Sequence, residues 1–196
     1  ITVLLCILYY LFAPGFFTTR NLQNVAVQAA PLLVVSIGMT MVILTQGIDL
    51  SLGYIISLCG LNAALVLQRG YPVWVSFAAA LATGLVFGLI NGFIIAKGKM
   101  PSFIATLGVG SIAYGIGLLM SGGRSVPALD STFRFVFRGT FLGVRMPLVI
   151  AIGAFVVAYI FMYYTTFGRN VIGLGGNPEA LRSAGVNIVK ARAMVY

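Results

Sequence analysis

Apolar residues come in long runs along this chain, and each run is broken by glycine, proline or charge. Residues 1–13, 25–46, 52–68, 72–96, 102–120 and 146–165 are the runs. About 20 apolar residues cross the hydrocarbon of a bilayer, so most of these runs are long enough to span it. Backbone in lipid has no water to bond, and a helix satisfies it within one segment. The pattern predicts an all-α fold, a polytopic transmembrane helix bundle. Residues 14–24 break the first run, beginning with Pro14, and Phe16 and Phe17 there suit a membrane interface. Pro31 falls inside the second run, where it kinks a helix or starts one. Residues 69–71 and the basic Lys97-Gly98-Lys99 make short turns, and residues 121–145 read as a polar, Arg-bearing loop. The first run opens without an initiator Met, no cleavable signal peptide is visible, and residues 193–196 look like the start of another span. The expectation is one membrane domain over residues 1–196, incomplete at both ends.

The polar stretch at residues 168–192 has its own design. Asn177 is a good N-cap, and Pro178 sits at the first helical position, where its missing N–H costs nothing. Glu179 places negative charge at the positive end of the helix dipole. Gly185 suits the left-handed residue that ends a helix. The helix predicted over 178–184 is about two turns, roughly 10 Å long. Its apolar face is Ala180, Leu181 and Ala184, with Arg182 and Ser183 turned elsewhere. One reading is a surface turn. The other is a docking lever, in which an exposed Leu181 enters a partner's groove. Periodicity alone leaves both open.

Two features lie within the apolar runs. Gly47-Ile48-Asp49-Leu50-Ser51 interrupts two helices, so the bundle contains a broken helix. A carboxylate at mid-membrane costs roughly 2.5–3.5 kcal/mol. As N-cap of a helix beginning at Leu50, Asp49 recovers about 1 kcal/mol, and the dipole adds up to about 1 more. The sums nearly balance near an interface or a wet cavity. Asp49 then reads as a structural cap, and otherwise as a residue facing substrate or ion at a broken helix with Gly47 and Ser51. Separately, Gly84, Gly88 and Gly92 share one helix face and permit close helix packing. Gly108, Gly110, Gly115 and Gly117 suggest the same in the next run, and Asn91 needs a partner on a neighbouring helix. Gly173-Leu174-Gly175-Gly176 has no preceding strand and no following Lys-Ser/Thr, which argues against a phosphate loop.

Composition sharpens the class. The chain is 60% hydrophobic and 8% charged, with mean hydropathy +1.07, whereas soluble domains carry about 25% charged residues. The formal charge of +9 does not point to nucleic acid, because the basic residues are scattered between apolar runs rather than striped along one face. Cys6 and Cys59 both lie in apolar segments and define no disulfide framework. There is no His, and Asp49, Asp130 and Glu179 are the only acids. That inventory is poor for general acid–base chemistry or a metal site, so neither an enzyme nor a cofactor is expected.

Counting basic residues does not orient the chain. Lys97, Lys99, Arg169, Arg182, Lys190 and Arg192 fall on one side, and Arg20, Arg69, Arg124, Arg134, Arg138 and Arg145 on the other. A resemblance does orient it. The run Gly38-Met39-Thr40-Met41-Val42-Ile43-Leu44-Thr45-Gln46-Gly47-Ile48-Asp49-Leu50-Ser51-Leu52-Gly53 resembles the signature of ribose-type sugar ABC importer permeases. Ala96-Lys97-Gly98, Phe103-Ile104-Ala105-Thr106-Leu107, and Gly168-Arg169 through Gly175-Gly176-Asn177-Pro178-Glu179-Ala180 extend it. Ser183-Ala184-Gly185-Val186-Asn187 completes it. The resemblance implies a multi-pass permease of the bacterial inner (plasma) membrane that moves a monosaccharide such as ribose or a related pentose or hexose. It places residues 168–192 in the cytoplasm as a coupling loop. Gly176, Asn177, Pro178, Glu179, Ala180, Leu181 and Gly185 would there meet a cytoplasmic ABC ATPase subunit. A second permease subunit, identical or paralogous, and an extracytoplasmic sugar-binding protein are the other implied partners. An ion- or proton-coupled secondary transporter using Asp49 is the main rival reading. A membrane-embedded enzyme ranks behind both.

Overall fold

The computed structural model describes residues 1–13, 15–128 and 130–196; Pro14, read above as a helix breaker, lies outside the described residues. Among the described residues ten helices form: α1 (Thr2–Phe12), α2 (Thr19–Leu44), α3 (Leu52–Gln68), α4 (Val73–Ala96), α5 (Ser102–Ser121), α6 (Ser131–Arg138), α7 (Met146–Tyr164), α8 (Thr166–Gly176), α9 (Pro178–Ser183) and α10 (Ile188–Ala193). A two-stranded antiparallel hairpin, β1 (Thr140–Phe141) and β2 (Val144–Arg145), sits between α6 and α7. The fold is an all-α polytopic bundle.

Four helices, α2, α4, α5 and α7, are long and apolar enough to cross a membrane, while α1 and α3 are shorter apolar helices. This is fewer full spans than the hydrophobic runs suggested. At 17 residues and 1.5 Å per residue, α3 is about 26 Å long. α2 begins six residues before its apolar run, because the Thr18 side chain accepts from the Asn21 N–H at 3.4 Å and caps it. Pro31 lies inside α2 without ending it.

The helices pack in two groups. α3, α4 and α5 pack together around Ile55, Leu58, Phe87, Val109 and Ala113. α2 packs instead on α7, and both meet α8. Residues 45–51 are the covalent link between the groups. α10 lies against both α8 and α4.

Three local readings change. Residues 121–145 are not all loop: Asp130 Oδ1 accepts from the Phe133 N–H at 2.9 Å, and α6 follows from this cap. Phe133 stacks on Phe77 of α4 with ring centroids 5.5 Å apart. Most of the stretch before the capped helix is itself helical, as α8, because Gly168, Val171 and Leu174 share a buried face. Residues 193–196 do not open a span; α10 ends at Ala193, and the segment after it lies on α4.

That segment occupies the α4 glycine face. A Cβ at Gly92 would stand 2.5 Å from the Ala193 carbonyl oxygen, and one at Gly88 2.6 Å from the Tyr196 carbonyl oxygen. At Gly84 the nearest atom is Cys59 Sγ of α3, at an ordinary 3.5 Å. On α5, Gly110 and Gly117 face α3, whereas Gly108 and Gly115 have nothing within 4 Å. The packing role read for all four therefore fits only two of them. Gly92→Ala should lower the melting temperature of the purified protein, at a cost of about 1–3 kcal/mol from overpacking. Gly84→Ala should be neutral or raise it, through up to about 1 kcal/mol of helix propensity. Equal behaviour of the two variants would contradict this assignment of the glycine face.

Candidate functional site

The break between α2 and α3 is built from polar groups. α2 ends in a two-bond turn: the Gln46 N–H donates to the Ile43 carbonyl at 2.9 Å and the Gly47 N–H to the Val42 carbonyl at 3.0 Å. Gln46 occupies the left-handed position, with φ +61°. The hydroxyl of Tyr196 lies where a Cβ on Gly47 would stand, so only glycine fits there. Beyond this point the backbone is not helical, and its N–H groups need partners. α5 supplies them. The Ile48 N–H donates to Ser102 Oγ at 3.0 Å, and the Leu50 N–H to Thr106 Oγ1 at 3.0 Å.

Asp49 is 7% exposed and is not the N-cap expected of it. α3 starts at Leu52, two residues later than the expected start, and Ser51 occupies the cap position without a side-chain cap bond. The Asp49 carboxylate instead closes a turn onto Ser51: Oδ1 accepts from the Ser51 N–H at 2.8 Å and from Ser51 Oγ at 2.6 Å. Asn91 Nδ2 of α4 donates to Ser51 Oγ at 2.8 Å, which is the partner Asn91 needed. Its Oδ1 is buried without a partner. The break lies beside the first turn of α5, not at mid-span, so the carboxylate sits at one end of the bundle. A cavity of about 510 Å³ opens at that end, lined among others by Gln46, Ser102, Lys99, Arg182 and Arg192.

α9 stands at the same end. The Asn177 side chain accepts from the Ala180 N–H at 3.0 Å, with Pro178 in the first turn and Glu179 after it. The helix runs to Ser183, with Ala184 as its cap residue. Its end is a Schellman turn: the Gly185 N–H donates to the Arg182 carbonyl at 2.9 Å and the Val186 N–H to the Leu181 carbonyl at 3.2 Å. Gly185 has φ +82°, which strains any side chain. Leu181 departs from expectation. It is half-buried, and its Cδ1 lies 3.0 Å from where a Cβ on Gly173 would stand. Its apolar surface is used within the chain, seating α9 on α8. Glu179, Ala180, Arg182 and Ser183 are what the helix exposes. Gly176 is exposed at the α8–α9 corner.

Ser102, Thr106 and Gln46 carry roles that apolar periodicity does not mark. The legible signal is a pair of hydroxyls one turn apart at the start of an apolar helix. Thr106→Val keeps the shape but leaves the buried Leu50 N–H unpaired, and should cost about 1–3 kcal/mol in detergent unfolding. Ser111→Ala should cost under about 0.5 kcal/mol, since Ser111 only bonds back to Leu107 of its own helix. Asp49→Asn retains an acceptor for both Ser51 donors and should fold normally. Asp49→Leu should lose about 2 kcal/mol or more. A stable Asp49→Asn protein without uptake would show that the charge itself is needed.

Residues 21–196 match the family described as branched-chain amino acid transport system / permease component. The ribose import permease protein of Escherichia coli strain K12 is 37% identical over 188 residues, which are 94% of this chain and 59% of that protein. The ribose import permease protein of Bacillus subtilis strain 168 is 34% identical over 195 residues, 98% of this chain and 61% of the relative. The L-arabinose transport system permease protein of Escherichia coli strain K12 is 30% identical over 186 residues, 95% and 57% respectively. The chain therefore spans about three-fifths of the length of the curated relatives it matches. No solved structure matches it. The bacterial relatives and the four spanning helices make it a multi-pass protein of the bacterial inner membrane. Since the family's pattern covers all but the first twenty residues, this chain belongs to the permease-component family of such transport systems.

Proposed function

We propose that this chain is the membrane-spanning permease subunit of an ATP-binding-cassette importer for a monosaccharide, ribose or a related pentose or hexose. The similarity to ribose and arabinose permeases, at 30–37% identity, favours a sugar over the amino acids in the family's description. The observation that carries the mechanism is α9, a short helix capped at both ends, seated on α8 and exposing a small, polar surface. In this reading α9 faces the cytoplasm and enters a groove on an ATPase subunit. The permease supplies no nucleotide chemistry, so ATP energy enters through a rigid contact. Closure of two ATPase subunits displaces α9, and the helix groups rock between outward and inward access. A second permease subunit completes the pathway, and an extracytoplasmic sugar-binding protein delivers substrate. Ion or proton coupling through Asp49 has no support from the family, and one carboxylate oxygen is already committed to holding Ser51.

Because Leu181 packs inward, a test of coupling belongs on the exposed face. Ala180→Trp adds bulk without touching the contact with Gly173. It should leave melting unchanged, weaken co-purification of the ATPase at least tenfold, and abolish ATP-driven sugar uptake in vesicles. Wild-type retention of the ATPase together with wild-type uptake would remove α9 from the coupling contact.

A further inference from the structure

The ends of α2 and α8 hold each other in two ways. Gln46 Nε2 donates to the Gly175 carbonyl at 2.8 Å, across 129 positions of sequence. The Leu44 carbonyl oxygen fills the place where a Cβ on Gly175 would stand, with Thr45 Cα 3.6 Å from that place. No side chain fits at 175 without parting the two helices. Gln46 also stands at the left-handed end of α2, a position that usually takes glycine. Glutamine there accepts backbone strain, and in return its side chain is long enough to reach α8. Gly175 lies two residues before the Asn177 cap of α9, and Gln46 lies directly before Gly47 and the break.

We propose that this clasp is the positioning contact through which movement of α9 reaches the helix break. The inference rests on reading α9 as the coupling helix. The close backbone contact resists approach of the two ends, and the hydrogen bond resists their separation. Together they pass both a push and a pull from α8 to α2. The displacement is delivered to residues 47–51, the link between the α2–α7 pair and the α3–α4–α5 group. Gln46 is exposed, so water can replace its bond in the resting protein, and stability depends little on it. Coupling depends on it more.

The test uses the permease assembled with its ATPase and sugar-binding protein in proteoliposomes, with sugar uptake and ATP hydrolysis measured together. Gln46→Gly keeps the left-handed turn and removes the donor. Gln46→Glu keeps the length but has no proton to donate at neutral pH. Both should lower sugar moved per ATP hydrolysed about fivefold, the loss of one ordinary hydrogen bond, while melting and ATPase retention stay at wild-type values. A wild-type ratio in both variants overturns the clasp. Loss of the bound ATPase in Gln46→Gly also overturns it, since Gln46 would then serve assembly. Should the wild-type protein itself take up sugar without ATP, the coupling-helix reading fails, whatever the variants do.

Discussion

Backbone that leaves a helix inside a membrane protein must find hydrogen bonds without water, and residues 47–51 face that demand directly. An unpaired buried N–H costs about 1–3 kcal/mol, so several together would undo a marginally stable fold. The chain meets the demand with side chains. Ser102 and Thr106 take the N–H groups of Ile48 and Leu50, and Asp49 takes that of Ser51. Because two of the donors and acceptors sit on different helices, satisfying the break also fixes α5 beside it. Asn91 adds α4 through Ser51 Oγ. The position of three helices follows from one non-helical stretch.

The same stretch divides the bundle. On one side α3, α4 and α5 share an apolar core, and on the other α2 packs on α7. α8 leads from α7 to α9, and α10 returns across α4 at a face where glycine is the residue that admits its backbone. α9 thus stands on an element tied to both groups. A lever placed there, in the proposed importer, acts on the relation between groups rather than on the interior of either.

Much of this was legible from residues alone, for definite physical reasons. Asn177, Pro178, Glu179 and Gly185 are local signals whose geometry depends on few neighbours, and the helix they frame appears within one residue of its expected end. Glycine and aspartate between two apolar runs likewise marked the break. What was not legible depends on tertiary partners. Whether Asp49 caps a helix or closes a turn is decided by where α5 places its hydroxyls. Leu181 faces α8 because Gly173 leaves room for it, and α8 itself was hidden by the three glycines in its last turn. α6 was masked by its arginines, although Asp130 is a cap of the ordinary kind.

Distances measured by spin labels test the rocking of the two groups most directly. One pair joins Leu119 of α5 to Val157 of α7 and so crosses the break; a second joins Leu81 of α4 to Leu119 within one group. All three positions are exposed, and the labels would be placed as cysteines after replacing Cys6 and Cys59. In the assembled transporter, addition of ATP should shift the distance across the break and leave the distance within the group unchanged. An unchanged distance across the break, or an equal shift in both pairs, would contradict the account.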